Sequence, residues 1–398
     1  MLLIPPFRCS NRFLPPYTAL YSVEKAFSSN GPWASAPIRE RFSSARFELQ
    51  TAVYSGGVTR IRIVEPSAKR HEVPDVLTSE HASRHRKWES IAHQRELRRT
   101  RLVAGDVELH VDDSPLALRL FRNGREFGNL NANGLLAIEH TRLRGREQND
   151  TDAMWSESFG GATDSKPHGP QALSVDASFP HASNVYGLPD RLQKLSLPST
   201  IDSDGNPTAE PYRLYNLDIP HFESDNNFAL YGSVPFAIAH SAQNGSAGLF
   251  FLNSAEMYVD VRRTAWDGEK QDEGSGNVSD TQQSESGINL RWLAESGIVD
   301  LFFLPGPSPK DVSAQYAMLT GSTDLPQEFA LGFHQCRWNY RDQKDLLAVN
   351  NNFDNFDMPA DVLWLDIEHT DKKKYITWDT CASKRHITNP FIQFLSYD

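Results

Sequence analysis

Within VLWLDIEHTDKKKYITWD, Val362–Asp379, four apolar residues run into Asp366, Glu368 and His369. The apolar run Val362–Leu365 reads as the end of a buried strand, and two acids and an imidazole are a poor continuation of a core. A second polar set, Gln335, Arg337, Trp338 and Asn339, follows the earlier apolar stretch FALGFHQ. An aromatic side chain beside carboxylates has the make-up of a sugar site, because the ring covers apolar C–H faces while the acids accept bonds from hydroxyls. The plainer alternative is a strand end whose acids are solvated and whose Trp338 packs in the core. The pattern alone leaves both open.

Two sharper chemistries fit less well. Residues i and i+2 of a strand share a face with side chains roughly 6.5–7 Å apart, near the spacing of a glycosidase carboxylate pair. That mechanism needs the two groups on opposite sides of the scissile bond, so at most one of Asp366 and Glu368 is expected to face a sugar. Zinc binding by Glu368 and His369 is weak, since adjacent strand residues face opposite ways and no third ligand is suitably spaced. Cys9, Cys336 and Cys381 lie far apart and form no C-x-x-C pair. No metal, no cofactor and no disulfide framework are expected.

The elements that must hold these groups read as strand, helix, strand: FALGFHQCRWNY, then Asp342–Phe353, then ADVLWLDI. Near-continuous apolar strands around a helix predict a parallel βαβ unit, in which chemistry gathers at the carboxyl ends of the strands. Ahead of it, LPGPSPKDVSAQYAMLTG has a Ser308-Pro309 start and apolar spacing at Val312, Tyr316 and Leu319, predicting a helix ended by Gly321. From Phe47 to Leu304 short alternating segments dominate. Phe47, Leu49, Thr51 and Val53 share one parity, Ser55-Gly56-Gly57 turns, and Ile61 and Ile63 return, which is a hairpin. A second is expected at Leu116–Phe127 around Asn123-Gly124, with further strands at Leu135–Glu139, Ala172–Val175, Phe236–His240, Gly248–Asn253, Met257–Val261 and Ile298–Leu304. So many strands predict a large two-sheet sandwich. Ser196–Ala209 and Trp266–Gly287 are too polar to order themselves and read as mobile surface insertions, and the locally basic Glu80–Arg101 as a solvated helical insertion.

A chain of 398 residues holds two or three domains and needs no disulfides for its core. Its net charge of −11 argues against nucleic acid or an anionic membrane as partner. No apolar run approaches the ~20 residues of a membrane helix. The start, MLLIPPFRCSNRF, lacks a basic leader and a small-residue cleavage site, so no signal peptide is expected. N-x-[ST] sequons at Asn149, Asn244 and Asn277 are about as many as chance supplies.

LGFHQCRWNY (Leu331–Tyr340) and DVLWLDIEHTDKKKYITWD (Asp361–Asp379) resemble glycoside hydrolase family 31. Colinear upstream stretches agree: VPDVL, NANGLLAIEH, DSKPHGP, VYGLPD (Val185–Asp190), YRLYNLDI (Tyr212–Ile219), YGSVP (Tyr231–Pro235) and ESGIVDLFFLPGPSP. The resemblance implies a mainly β fold: a mutarotase-like β-sandwich followed by the first two βα units of an incomplete (β/α)8 TIM barrel. It divides the chain into an extension (1–45), the sandwich (46–305), a connector (306–328), the start of the barrel (329–379) and a divergent tail (380–398).

It further implies retaining hydrolysis of α-glucosides by two aspartates. Asp366 is then a sugar-binding carboxylate with Ile367 beside it, Trp338 forms part of the wall, Asp218 reaches the substrate from the sandwich, and Glu368 and His369 support the loop. The implied substrate is an α-glucoside or N-glycan, trimmed in the endoplasmic-reticulum lumen, with a glucosidase II β-subunit as partner of the full-length form. The family's W-N-D-M-N-E nucleophile motif and its acid/base motif occur nowhere in the 398 residues. The chain is therefore expected to be a truncated form that retains some carbohydrate binding without catalysis. The alternative is a non-catalytic carbohydrate- or partner-binding sandwich.

Overall fold

The computed structural model describes residues 21–30, 33–41, 45–66, 68–78, 91–144, 154–219, 221, 223–266 and 285–379. They form two compact units divided after Gly321.

The first unit is a sandwich of two antiparallel sheets. Among the described residues one sheet runs, in spatial order, Tyr21–Val23, Trp33–Glu40, Arg46–Val53, Thr59–Val64, Val299–Leu304, Gly245–Phe251, Phe236–Ser241 and Asn184–Gly187, with Ser28–Asn30 paired to the second of these. The other runs Tyr212–Leu214, Met257–Trp266, Glu285–Ala294, Leu173–Phe179, Arg125–Leu130, Leu116–Arg122, Val107–Asp113, Arg99–Ala104 and Ala92–Arg95, with Ala137–Ile138 alongside Leu173–Phe179. Alternation decides which side chains meet: Leu49, Ile61, Leu249 and Phe303 from one sheet join Leu109, Leu118, Val175 and Trp292 from the other in a single core. The expected hairpins are present, and Asn123 (φ 50) and Gly124 (φ 76) make the left-handed two-residue turn that suits strand twist.

The central strand Val299–Leu304 is buried along its whole length. Its odd residues enter the inter-sheet core, while Phe302 and Leu304 lie under the helix Pro309–Thr320 through Val312 and Leu319. Ser308 starts that helix with a reciprocal cap: its Oγ accepts from Asp311 N (3.1 Å) and its N–H donates to Asp311 Oδ2 (3.0 Å). Gly248 lets the helix sit close, since a Cβ there would lie 2.6 Å from Val312 Cγ1. On the same outer face Arg60 forks onto the carboxylate of Asp300 at 2.8 and 2.6 Å.

Four expectations are corrected. The segment expected to precede the sandwich supplies three of its strands between Tyr21 and Glu40. The helix expected over Glu80–Arg101 gives way to strands at Ala92–Arg95 and Arg99–Ala104, because Leu102 and Ala104 alternate into the core; residues 79–90 lie outside the described residues. Ser196–Ala209 is anchored, with Leu197 and Thr200 buried and Thr200 Oγ1 accepting from Val261 N (2.9 Å) and donating to Asp260 (2.9 Å). The insertion expected at Trp266–Gly287 is strand at both ends, and residues 267–284 lie outside the described residues.

The second unit holds the βαβ arrangement in reduced form. His334–Gln335 pairs in parallel with Val362–Leu363, and the helix Gln343–Asn355, capped by the Asp342 side chain, lies between them in sequence. The expected long buried strands shrink to two residues each. A small core of Tyr340, Leu346 and Leu365 leaves Phe333 and Trp364 half exposed.

Candidate carbohydrate-binding residues

In the second unit the chain leaves the strand at Leu363, buries Leu365, and turns into a short 3-10 helix, Ile367–His369. Asp366 caps that turn: its Oδ1 accepts from Ile367 N at 2.8 Å, and the residue is exposed. Because the backbone is helical here, Asp366 and Glu368 do not share a strand face, and the i, i+2 geometry does not arise.

Glu368 is a tie between loops. It accepts from Lys373 Nζ (2.7 Å) and from Asn339 Nδ2 (3.0 Å), which links the tip of the second strand to the turn after the first. These two bonds, that of Lys373 first, hold its carboxyl below the ordinary glutamate range, so it remains a charged anchor. His369 Nδ1 meets Asp366 O at 2.6 Å and its ring lies against Trp378. Trp364 Nε1 donates to His334 Nδ1 (2.9 Å), which leaves His334 Nε2 to donate to Ala330 O (3.0 Å) and fixes a neutral tautomer. Trp338 is 93 % exposed, so the core alternative for it is overturned. Ile367 is also exposed, next to Asp366.

In the first unit Asp218 lies in the loop after the Tyr212–Leu214 strand and is exposed. Its Oδ1 accepts from the Tyr231 hydroxyl at 2.6 Å. That bond raises the tyrosine's own pKa, since the neutral phenol is the donor. The loop is stapled across its base: Leu217 N donates to Leu230 O (2.8 Å), Leu230 N to Asp190 O (3.0 Å) and Asp190 N to Gly232 O (2.8 Å). Arg191 closes the staple by donating to the carbonyls of Leu188, Asn227 and Arg213 while its guanidinium lies 5.1 Å from the Tyr212 ring. Burial pushes its pKa down to about 10, which still leaves it charged at neutral pH.

Tyr231 and Arg191 carry no chemical signal in the sequence beyond lying in or beside the YGSVP and VYGLPD stretches. Two clefts of about 410 and 640 Å³ open elsewhere on the sandwich, lined among others by Glu126 and Asn244 and by Glu65 and His140 respectively. Neither is lined by Asp218.

The first unit is an antiparallel sandwich, and the second carries a parallel strand pair with exposed carboxylates and aromatics on the adjoining loops. Residues 48–260 match the glycosyl hydrolase 31 N-terminal galactose mutarotase-like domain, and residues 323–389 the glycosyl hydrolases family 31 TIM-barrel domain. The chain belongs to glycoside hydrolase family 31.

It is 40 % identical over 352 residues to a probable glucan 1,3-alpha-glucosidase of Arabidopsis thaliana, an alignment covering 83 % of this chain and 36 % of that protein. It is 38 % identical over 362 residues to the neutral alpha-glucosidase AB of Homo sapiens, covering 81 % of this chain and again 36 % of the relative. A crystal structure of the ER glucosidase II heterodimeric complex, consisting of catalytic subunit and the binding domain of regulatory subunit, superposes with TM-score 0.75 at 32 % identity over 92 % of this chain and 41 % of that one. The chain thus spans about 36 % of the length of these curated relatives.

Proposed function

We propose that this chain carries the sugar-recognising amino-terminal part of an α-glucosidase that trims glucose from N-linked glycans in the endoplasmic-reticulum lumen. One observation carries the reading: Asp366, at the carboxyl end of a parallel strand, has one oxygen fixed by Ile367 N and an exposed side chain, in a chain of this family. Asp366 accepts hydrogen bonds from sugar hydroxyls, and Trp338 and Ile367 cover apolar C–H faces. Asp218, exposed on a loop of the sandwich, is proposed as a sugar-binding carboxylate in its own right. A regulatory β-subunit is the partner proposed for the full-length form.

No W-N-D-M-N-E segment occurs in the 398 residues, so recognition is assigned to this chain and bond cleavage is not. Retaining hydrolysis needs a nucleophile and an acid/base on opposite sides of the bond. The purified chain is expected to bind an α-1,3-linked diglucoside and to release no glucose above a buffer control. Measurable turnover by a preparation free of other glucosidases would overturn the assignment. Equal binding of α-glucosides and unrelated sugars would favour a general carbohydrate-binding sandwich.

A further inference from the structure

Asp218 is an exposed carboxylate on a loop, and such a side chain ordinarily samples several rotamers. Here it does not stand alone. The Tyr231 hydroxyl reaches Oδ1 at 2.6 Å, the length of a bond from a neutral hydroxyl to an ionised acceptor. The backbone beneath Tyr231 is held from both sides, by Leu230 N on Asp190 O and by Asp190 N on Gly232 O. A Cβ at position 232 would lie 2.5 Å from Asp190 Oδ2, so a side chain there would have to displace the Asp190 carboxylate. Across the loop, Leu217, next to Asp218, is bonded to Leu230, next to Tyr231, at 2.8 Å. Donor and acceptor are therefore mounted on one stapled backbone.

We propose that Tyr231 is a positioning residue: its hydroxyl fixes the rotamer of Asp218 and leaves Oδ2 free to accept from a sugar hydroxyl. The proposal rests on Asp218 being a sugar contact, as argued above. Fixing the carboxylate beforehand removes an ordering cost from binding, which is how a residue that need not touch the ligand raises affinity. A phenol suits the task, because its single rotatable donor sits on a rigid ring and, once committed to Asp218, keeps lone pairs directed outward.

The test is a double-mutant cycle on the full 398-residue chain, with an α-1,3-linked diglucoside titrated calorimetrically. Tyr231→Phe keeps the ring and is expected to weaken binding about 3- to 10-fold, the worth of one hydrogen bond. In an Asp218→Ala background the same change is expected to do nothing. A loss of equal size in both backgrounds makes Tyr231 a direct contact and overturns the positioning role. If Asp218→Ala leaves binding untouched, or the unaltered chain binds no diglucoside, the reading of Asp218 fails instead.

A ligand-free readout separates the two failures. The Tyr231 phenol, followed by NMR, should titrate above the ordinary tyrosine range and return to it in Asp218→Ala. An unchanged titration means the pair is not coupled and overturns the proposal whatever the binding data show.

Discussion

Asp366 and Asp300 are both aspartates bonded through a carboxylate, yet they answer to different energetics. Asp366 is exposed, and Asp366→Asn should lower affinity for an α-glucoside by about 1.5–3 kcal/mol, the range for a charged hydrogen bond, while leaving the melting temperature nearly unchanged. Calorimetric titration beside a thermal melt checks this, and parallel losses of binding and stability would make Asp366 a fold determinant. Asp300 is 2 % exposed and holds the fork of Arg60, whose guanidinium also lies 4.8 Å from the Phe302 ring. Burial alone would lower the pKa of Arg60, and Asp300 more than reverses it, so the guanidinium stays charged. Asp300→Asn leaves a buried cation half-matched and should cost about 3–5 kcal/mol in urea unfolding, with Arg60→Met in the same chain recovering most of it. Of these groups the sequence singles out Asp366 as a candidate, because it interrupts an apolar run. Tyr231 was invisible to spacing arguments: it meets Asp218 from 13 residues away, through a loop closure that no period encodes.

Strands announced by strict alternation, such as Arg46–Val53 and Leu116–Arg122, appear where the pattern places them. The elements that escaped have physical excuses. In Trp33–Glu40 the buried side chains are Ala34, Ala36 and Ile38, two of them small, and Pro37 interrupts a stretch that otherwise alternates. Ser196–Ala209 is polar in bulk, and its anchors are two buried residues, Leu197 and Thr200, with bonds such as those from Arg263 to Ser199 and to Leu197 O, which a compositional average hides. The seat of the helix Pro309–Thr320 offers a direct test of packing at this scale. Gly248→Ala drives a methyl to 2.6 Å from Val312 Cγ1 and is expected to destabilise the sandwich by about 1–3 kcal/mol. Val312→Ala should relieve part of that loss, and a double variant no better than the sum of the singles would place the strain elsewhere.

The two units differ in how much core each owns. The sandwich shares one continuous core between its sheets, whereas the second unit packs, among the described residues, three buried apolar side chains, Tyr340, Leu346 and Leu365. Between them Ser322–Gln327 is exposed and forms neither helix nor strand. Limited proteolysis should therefore cut first near 322–327 and leave a resistant fragment that keeps the helix Pro309–Thr320, and mass spectrometry of the product would show it. A first cut inside the helix, or amides of the Val362–Leu363 strand as protected as those of Val299–Leu304, would contradict this ranking. The helix boundary at Gly321 was readable from its spacing and cap; the poverty of the second core was not, since the apolar runs on either side of Asp342–Phe353 look as rich as sandwich strands until their exposure is seen. The tryptophans carry this asymmetry into optics. Trp292 is fully enclosed and meets Phe251 edge-on at 5.6 Å, while Trp338 is bathed in solvent. An enclosed indole emits at shorter wavelength and is shielded from dissolved iodide, so loss of that shielded emission in a fluorescence cuvette follows the melting of the sandwich with no label attached, while Trp338 is open to iodide before and after.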